Sequence, residues 1–293
     1  MRQFARFGEH PRVEHYVALF APAGTVQHPG MVRPLAGREI PDFISAVLSL
    51  MPDFELRPLR WCSRGDIAFV EAQSSGSIGD KHASWAAIYR VQLSGNQVLR
   101  GRSFYDRAEV FAQLERGEEP RYSPSTESTA AASVVVPGAA GTAVEEGLSR
   151  RYADAWLNPD PEQIASFFSA TGSAPAPGTE RLTGEALVHH RETLFDEGTL
   201  RQRCQDYATG RGCAFFHWEL AGTIDDRPFA VPATERLSLD GPKVAKSRIY
   251  FDTLVFEGLR DPSVASRTIF NAADDRGEAP ESNARAGGDD ALL

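Results

Sequence analysis

The chain has 293 residues, of which 42% are hydrophobic and 24% charged. That composition belongs to folded globular proteins and excludes a disordered or fibrous one, and at one domain per ~150 residues two domains are expected. Lys and Arg number 31 against 40 Asp and Glu, a formal net charge of −9 with no local basic patch, so neither nucleic acid nor a membrane surface is an expected partner.

Met1 to Arg12 lacks the apolar core of a signal peptide, and no uncharged apolar run approaches the ~18 residues of a membrane span, so a cytoplasmic location is expected. Two helices should open the chain, with a short strand over Gly24 to His28 and a third helix over REIPDFISAVLSL, Arg38 to Leu50. The period then changes to that of strands in FELRPLRWC, DIAFVEAQS, HASWAAIYRVQL and QVLRGRSFYD, separated by SRG, SGSIGD and SGN. After Gln113 the chain turns to Pro, Gly, Ser, Thr, Ala and Glu until about residue 142, a linker. Helical spacing resumes in RYADAWLNPDPEQIASFF, Arg151 to Phe168, around a turn at Asn158 to Pro161, and in GEALVHHRETLF, Gly184 to Phe195. The final 20 residues, from Asp274, carry almost no large apolar side chain and read as a disordered acidic tail. The expected organisation is a domain over 1–115, a linker over 116–142, a second domain over 143–260 and a tail over 261–293. Cys62, Cys204 and Cys213 show neither CxxC nor Cys/His ligand spacing, which argues for buried free thiols over a disulfide framework or a zinc site.

The two blocks align with each other. LFAPAGTVQHPGMVRPLAG, Leu19 to Gly37, lies over FFSATGSAPAPGTERLTG, Phe167 to Gly184, with Phe20 and Phe168 offset by 148. SRGDIAF matches GRGCAFF, GSIGDK matches GTIDDR, and the last strands close at Asp106 and Asp252, an offset of 146. The reading is a tandem duplication. The passage LFAPAGTVQHPGM, the PDFEL after the third helix, the G-x-x-V hairpin exit and the terminal SFYD resemble the nuclear transport factor 2-like superfamily, in its SnoaL-like polyketide cyclase branch. The resemblance implies an α+β class: two tandem cone-shaped α+β barrels, each with three helices packed on a curved antiparallel sheet. It also implies a pocket for an apolar small molecule in the open end of the cone, and pairing of the halves sheet to sheet as an internal pseudo-dimer.

Ketosteroid isomerases of this superfamily use a carboxylate base before a Pro, a tyrosine on the first helix and a protonated Asp in the third strand of the sheet. The matching positions here are His28, Phe4 and Ala87 in the first block, and Ala176, Tyr152 and Ala233 in the second. Neither block keeps the set, so that mechanism is disfavoured, but a neutral imidazole at His28 remains a competent general base. Strand alternation puts Ile67, Phe69, Glu71 and Gln73 on one face, and Arg100, Arg102, Phe104 and Asp106 on one face. With those faces inward, Glu71 or Asp106 would orient His28 as its catalytic partner. Asp106, which recurs as Asp252, reads better as a cap of the following helix than as a catalytic group.

Phe4, Trp61, Trp85, Tyr89, Arg102 and Tyr105 are the substrate-binding candidates of the first block, with Tyr152, His217 and Tyr250 in the second. No metal is expected, since His217 and Glu219 lack a third ligand, and His189 and His190 read as surface or helix-packing residues. The resemblance with His28 retained implies a cofactor-independent enzyme acting on a polyketide- or terpenoid-type molecule. His28 would assist proton abstraction in cyclisation, isomerisation or dehydration. A non-catalytic binding or assembly module, and an epoxide hydrolase using Asp106 and Arg102, are the alternatives.

Overall fold

The computed structural model describes residues 2–120, 138–176, 179–182, 186, 201–265 and 267. In the first half, α1 (Arg2–Glu9) and α2 (Val13–Val17) lead into β1 (Phe20–Gln27) and the two-residue β2 (Leu35–Ala36). Helix α3 (Glu39–Leu50) follows, then β3 (Glu55–Arg64), β4 (Ile67–Ile78), β5 (Lys81–Ser94), β6 (Gln97–Phe104) and α4 (Arg107–Arg116). The second half runs α5 (Ala143–Ala155), α6 (Pro161–Phe167), β7 (Phe168–Ala176), β8 (Thr179–Leu182), β9 (Arg201–Gly210), β10 (Cys213–Ile224), β11 (Arg227–Asp240), β12 (Lys243–Tyr250) and α7 (Leu254–Arg260). A further helical turn, Pro262–Ala265, follows. The expected helix over Gly184 to Phe195, with His189 and His190, lies outside the described residues except for Ala186, as does the stretch from Asp274 onward.

Each half builds one six-stranded sheet, ordered β2-β1-β6-β5-β4-β3 and β8-β7-β12-β11-β10-β9. The second order repeats the first. Strands β3 to β6 form the expected antiparallel meander, while β1 starts four residues before Gly24 and joins β6 in parallel. A bulge between Phe20 and Thr25 bends it. Gly24 is needed there, because a Cβ would stand 2.7 Å from the Ala21 carbonyl oxygen and 2.8 Å from that of Val98. Gly172, 148 residues on, meets the same crowding from Ser169 and Val244.

Local signals account for the element ends. Thr142 and Glu145 form a capping box on α5, and Asp160 caps α6 with Pro161 in its first turn. Asp225 and Asp226 take φ of 51° and 61° in the two-residue β10–β11 hairpin, the left-handed geometry that a short polar side chain tolerates.

One face of the first sheet is covered by its helices, through a core that includes Phe7, Tyr16, Ile40, Ile44, Val47 and Ala72. The other face packs on the second sheet: Cys62, Phe69, Ile88 and Phe104 meet Ala208, Cys213, Phe215 and Tyr250. The rings of Phe69 and Phe215 stack at 5.9 Å and 6°. These two residues are 146 apart and touch each other, as equivalent positions do on a two-fold axis. Reciprocal contacts repeat the relation, because Asp106 accepts from the Thr253 backbone N–H at 3.1 Å and Asp252 from that of Arg107 at 3.4 Å. The halves are thus a pseudo-dimer paired sheet to sheet.

The two interiors differ. In the second half Trp218 fills the position that Ala72 holds in the first, and Tyr152 and Trp218 donate to the fully buried Glu235 carboxylate at 3.1 and 3.0 Å. Ser247 donates to it as well. In the first half Tyr89 and Gly101 stand where Glu235 and Ser247 do, and the cone keeps a cavity.

Candidate functional site

The strand β1 ends at a tight turn. Met31 N–H donates to the His28 carbonyl at 3.2 Å, with Pro29 and Gly30 at the corners and Gly30 at φ 83°. This is the Pro-Gly arrangement of a type II turn. A Cβ on Gly30 would lie 2.3 Å from Arg107 Nη1, so the turn needs glycine for space as well as for backbone angle. The turn sets the His28 ring flat on Phe43 of α3, with centroids 4.7 Å apart and planes at 28°.

Both ring nitrogens are engaged. Nδ1 is 2.8 Å from Ser103 Oγ of β6, and Nε2 is 3.3 Å from the Tyr16 hydroxyl of α2. Ser103 and Tyr16 are 3% and 8% exposed. His28 keeps part of its own surface open on the cavity side, yet protein surrounds the ring and burial lowers its pKa to about 4. It is therefore neutral at pH 7. Burial, reinforced by Tyr89 and Tyr105, pushes the Tyr16 hydroxyl far above its ordinary pKa, so it stays a proton carrier. A chain Tyr16–His28–Ser103 of neutral groups can run in either direction, one for each imidazole tautomer.

Two cavities meet at this chain. The inner one, in the cone, leaves ≈ 90 Å³ to the centres of water-sized molecules and is walled by Phe4, Tyr16, Phe43, Phe54, Trp85, Tyr89 and Tyr105 among others. The second, of ≈ 230 Å³ on the same measure, is a cleft between the halves, lined by Ser103 and Arg107 on one side and by Val231, Pro232, Phe251 and Asp252 on the other. His28, Arg102 and Tyr105 border both.

The structure thus brings His28, Phe4, Trp85, Tyr89, Arg102 and Tyr105 together and separates the remaining candidates from them. Glu71 is not the partner of His28. It is fully buried between the sheets, where Arg60 Nη1 lies 2.6 Å and Arg236 Nε 3.1 Å from it and Tyr250 donates at 2.6 Å. The alternation of β4 is as expected, but its Phe69 and Glu71 face meets the second sheet, and the opposite face meets the cone. Asp106 caps α4 through Ala108 N–H at 3.0 Å and accepts from the Thr253 hydroxyl at 2.7 Å, an assignment to structure that displaces its catalytic reading. Burial raises its pKa.

Trp61 packs against the segment just before α5, its carbonyl accepting from Gly138 N–H at 3.1 Å. Tyr152 is core, and Tyr250 serves Glu71. His217 sits at the interface, edge-on to Phe104 and 3.5 Å from Asp206. Among the described residues no group of three or more His, Cys, Asp or Glu converges on a common point, and no helix is long and apolar enough to cross a membrane. Cys62 and Cys213 are free thiols whose sulfurs lie 3.5 Å apart across the interface.

Sequence reasoning missed Tyr16, Phe43 and Ser103. For Ser103 a signal existed: it alternates with Arg102 and Phe104, so it belonged to whichever face they did not.

No protein-family model and no curated protein matches the chain. Solved structures do. The chain is similar to a protein with a ketosteroid isomerase-like fold from Catenulispora acidiphila, crystallised with trimethylamine, at 17% identity over 42% of this chain and 95% of that one, TM-score 0.37. An NTF2-like protein of unknown function from Burkholderia pseudomallei matches at 17% identity over 39% and 93%, TM-score 0.36. A protein described as a candidate SnoaL-like polyketide cyclase from Jannaschia sp. CCS1 matches at 14% over 39% and 89%, TM-score 0.35.

Proposed function

We propose that the first half binds an apolar small molecule of polyketide or terpenoid type in its cone and catalyses a cofactor-independent proton transfer, as cyclisation, isomerisation or dehydration requires. The observation that carries this reading is His28, a neutral imidazole on the wall of an aromatic cavity, held between Tyr16 and Ser103. With Nδ1–H donated to Ser103, the Nε2 lone pair, once Tyr16 turns away from it, accepts a proton from a substrate C–H bond. The electron pair moves onto the neighbouring carbonyl, and the Tyr16 hydroxyl, turning from Nε2, donates to the oxygen on which charge develops. The proton then returns to another carbon, or to a departing hydroxyl.

A base of pKa about 4 matches an acidic carbon best, such as a methylene between two carbonyls, which polyketide-type chains carry. The same weak basicity favours the second reading, a binding module without turnover. Deuterium incorporation at C1 of 2-tetralone, followed by NMR in D₂O, separates the two. Exchange faster than buffer in the wild type and at the buffer rate in a folded His28→Ala supports catalysis. Binding of 2-tetralone with no exchange above buffer leaves the binding module.

A further inference from the structure

Among the described residues, one cation at the cleft outside His28 has no counter-charge. Arg90 is committed to Asp206 with contacts of 2.6 and 3.0 Å, and Arg107 to Asp252 at 2.8 Å. Arg102, which borders cleft and cone alike, has among the described residues neither a carboxylate nor a hydrogen-bond partner for its guanidinium, which lies over the Phe104 ring at 5.7 Å. Burial, and then Arg90 beside it, lower its pKa. A guanidinium drawn from water next to a second arginine is costly unless an anion joins it. The groups facing it across the cleft are the apolar Val231, Pro232 and Phe251 and the already paired Asp252.

We propose that the cleft receives the carboxylate of an aromatic or other apolar acid, bound by Arg102, while the apolar body of that ligand passes His28 into the cone. The proposal rests on the cone being a ligand site, as argued above, and it names the substrate class for that site. A planar guanidinium matches a carboxylate two oxygens at a time. The second half then has a function of its own: its β11 and the segment after β12 supply the water-excluding far wall that strengthens this pair.

Fluorescence titration of the full chain with 2-naphthoate and with 2-naphthamide, its neutral isostere, tests both levels. Wild type should bind the acid about tenfold or more tighter than the amide. Arg102→Gln should remove that preference by weakening the acid far more than the amide, and Pro232→Glu should likewise act mainly on the acid, from the opposite wall. If Arg102→Gln does not fold, Arg102→Lys replaces it and should lose part of the preference. Equal binding of acid and amide to the wild type, or a preference that survives at Arg102→Gln, overturns the carboxylate site and leaves the cone reading intact. Binding of neither probe overturns the cone reading itself, and this proposal with it.

Discussion

Replacing His28 with Gln keeps a side chain that can hydrogen-bond to Tyr16 and Ser103 but removes its titration. In the wild type the folded-state pKa is about 4 against roughly 6.5 for an unfolded histidine. As pH falls, the unfolded chain takes the proton first, so this contribution to stability is complete above 6.5 and is lost as pH falls toward 4. The loss amounts to roughly 0.8 kcal/mol at pH 6, about 2 kcal/mol at pH 5 and about 3 kcal/mol at pH 4. Asp53, Glu145 and Asp206, whose pKa values are also lowered, weaken the fold in acid too, but they do so equally in both proteins. Urea unfolding of wild type and His28→Gln at pH 7.5, 6 and 5, followed by circular dichroism, therefore isolates the histidine. The wild type should lose about 2 kcal/mol more than the variant between pH 7.5 and 5, and if the halves unfold in separate steps, the difference belongs to that of the first half. Parallel pH dependences would mean a solvated, ordinary imidazole and would refute the buried relay. Any activity should rise through pH 4 and then stay level to pH 8.

Glu71→Ala leaves Arg60 and Arg236 without their shared carboxylate and should cost about 3–5 kcal/mol by urea unfolding; a loss confined to activity would return Glu71 to the site. Gly30→Ala forces a Cβ onto Arg107 at a positive φ and should cost at least about 1–2 kcal/mol, with the His28 ring displaced; an unchanged His28 NMR signal counts against the turn argument. Residues 1–115 alone should form a dimer in sedimentation. Arg90 occupies the position equivalent to Arg236, so a second copy would rebuild the Arg60–Glu71–Arg cluster around the exposed Phe69 face, and a soluble monomer would contradict this.

Much of the fold was legible because each half changes period once and because turn residues mark the hairpins. What stayed hidden was which face of each strand looks into the cone. A sheet with one wet face betrays its orientation by polarity, but this one is covered by helices on one side and by another sheet on the other. Phe69 and Val70, on opposite faces of β4, are both buried, so period two gave two sets and no means of choosing between them. The choice of Glu71 and Asp106 followed from that ambiguity. His28 escaped it because its place is set by the Pro29–Gly30 turn. Tyr16 and Phe43 lie only 12 and 15 residues from His28, but they sit on separate helices whose packing angle against the strand end no local pattern sets.

The reciprocal joints between the halves, Asp106 to Thr253 and Asp252 to Arg107, are made within one polypeptide. Their formation is first order, so dilution that dissolves an ordinary dimer leaves the cleft assembled; a tether holds its ends at an effective concentration of order millimolar. Joining also breaks a rule that binds true homodimers, in which any substitution appears twice. Here a change appears once per pair of halves. Glu71 can face Tyr250 while the equivalent His217 faces Phe104, and one interior can hold Trp218 and the buried Glu235 where the other has Ala72 and Tyr89. Tethered halves can carry different interiors without ever having to find each other.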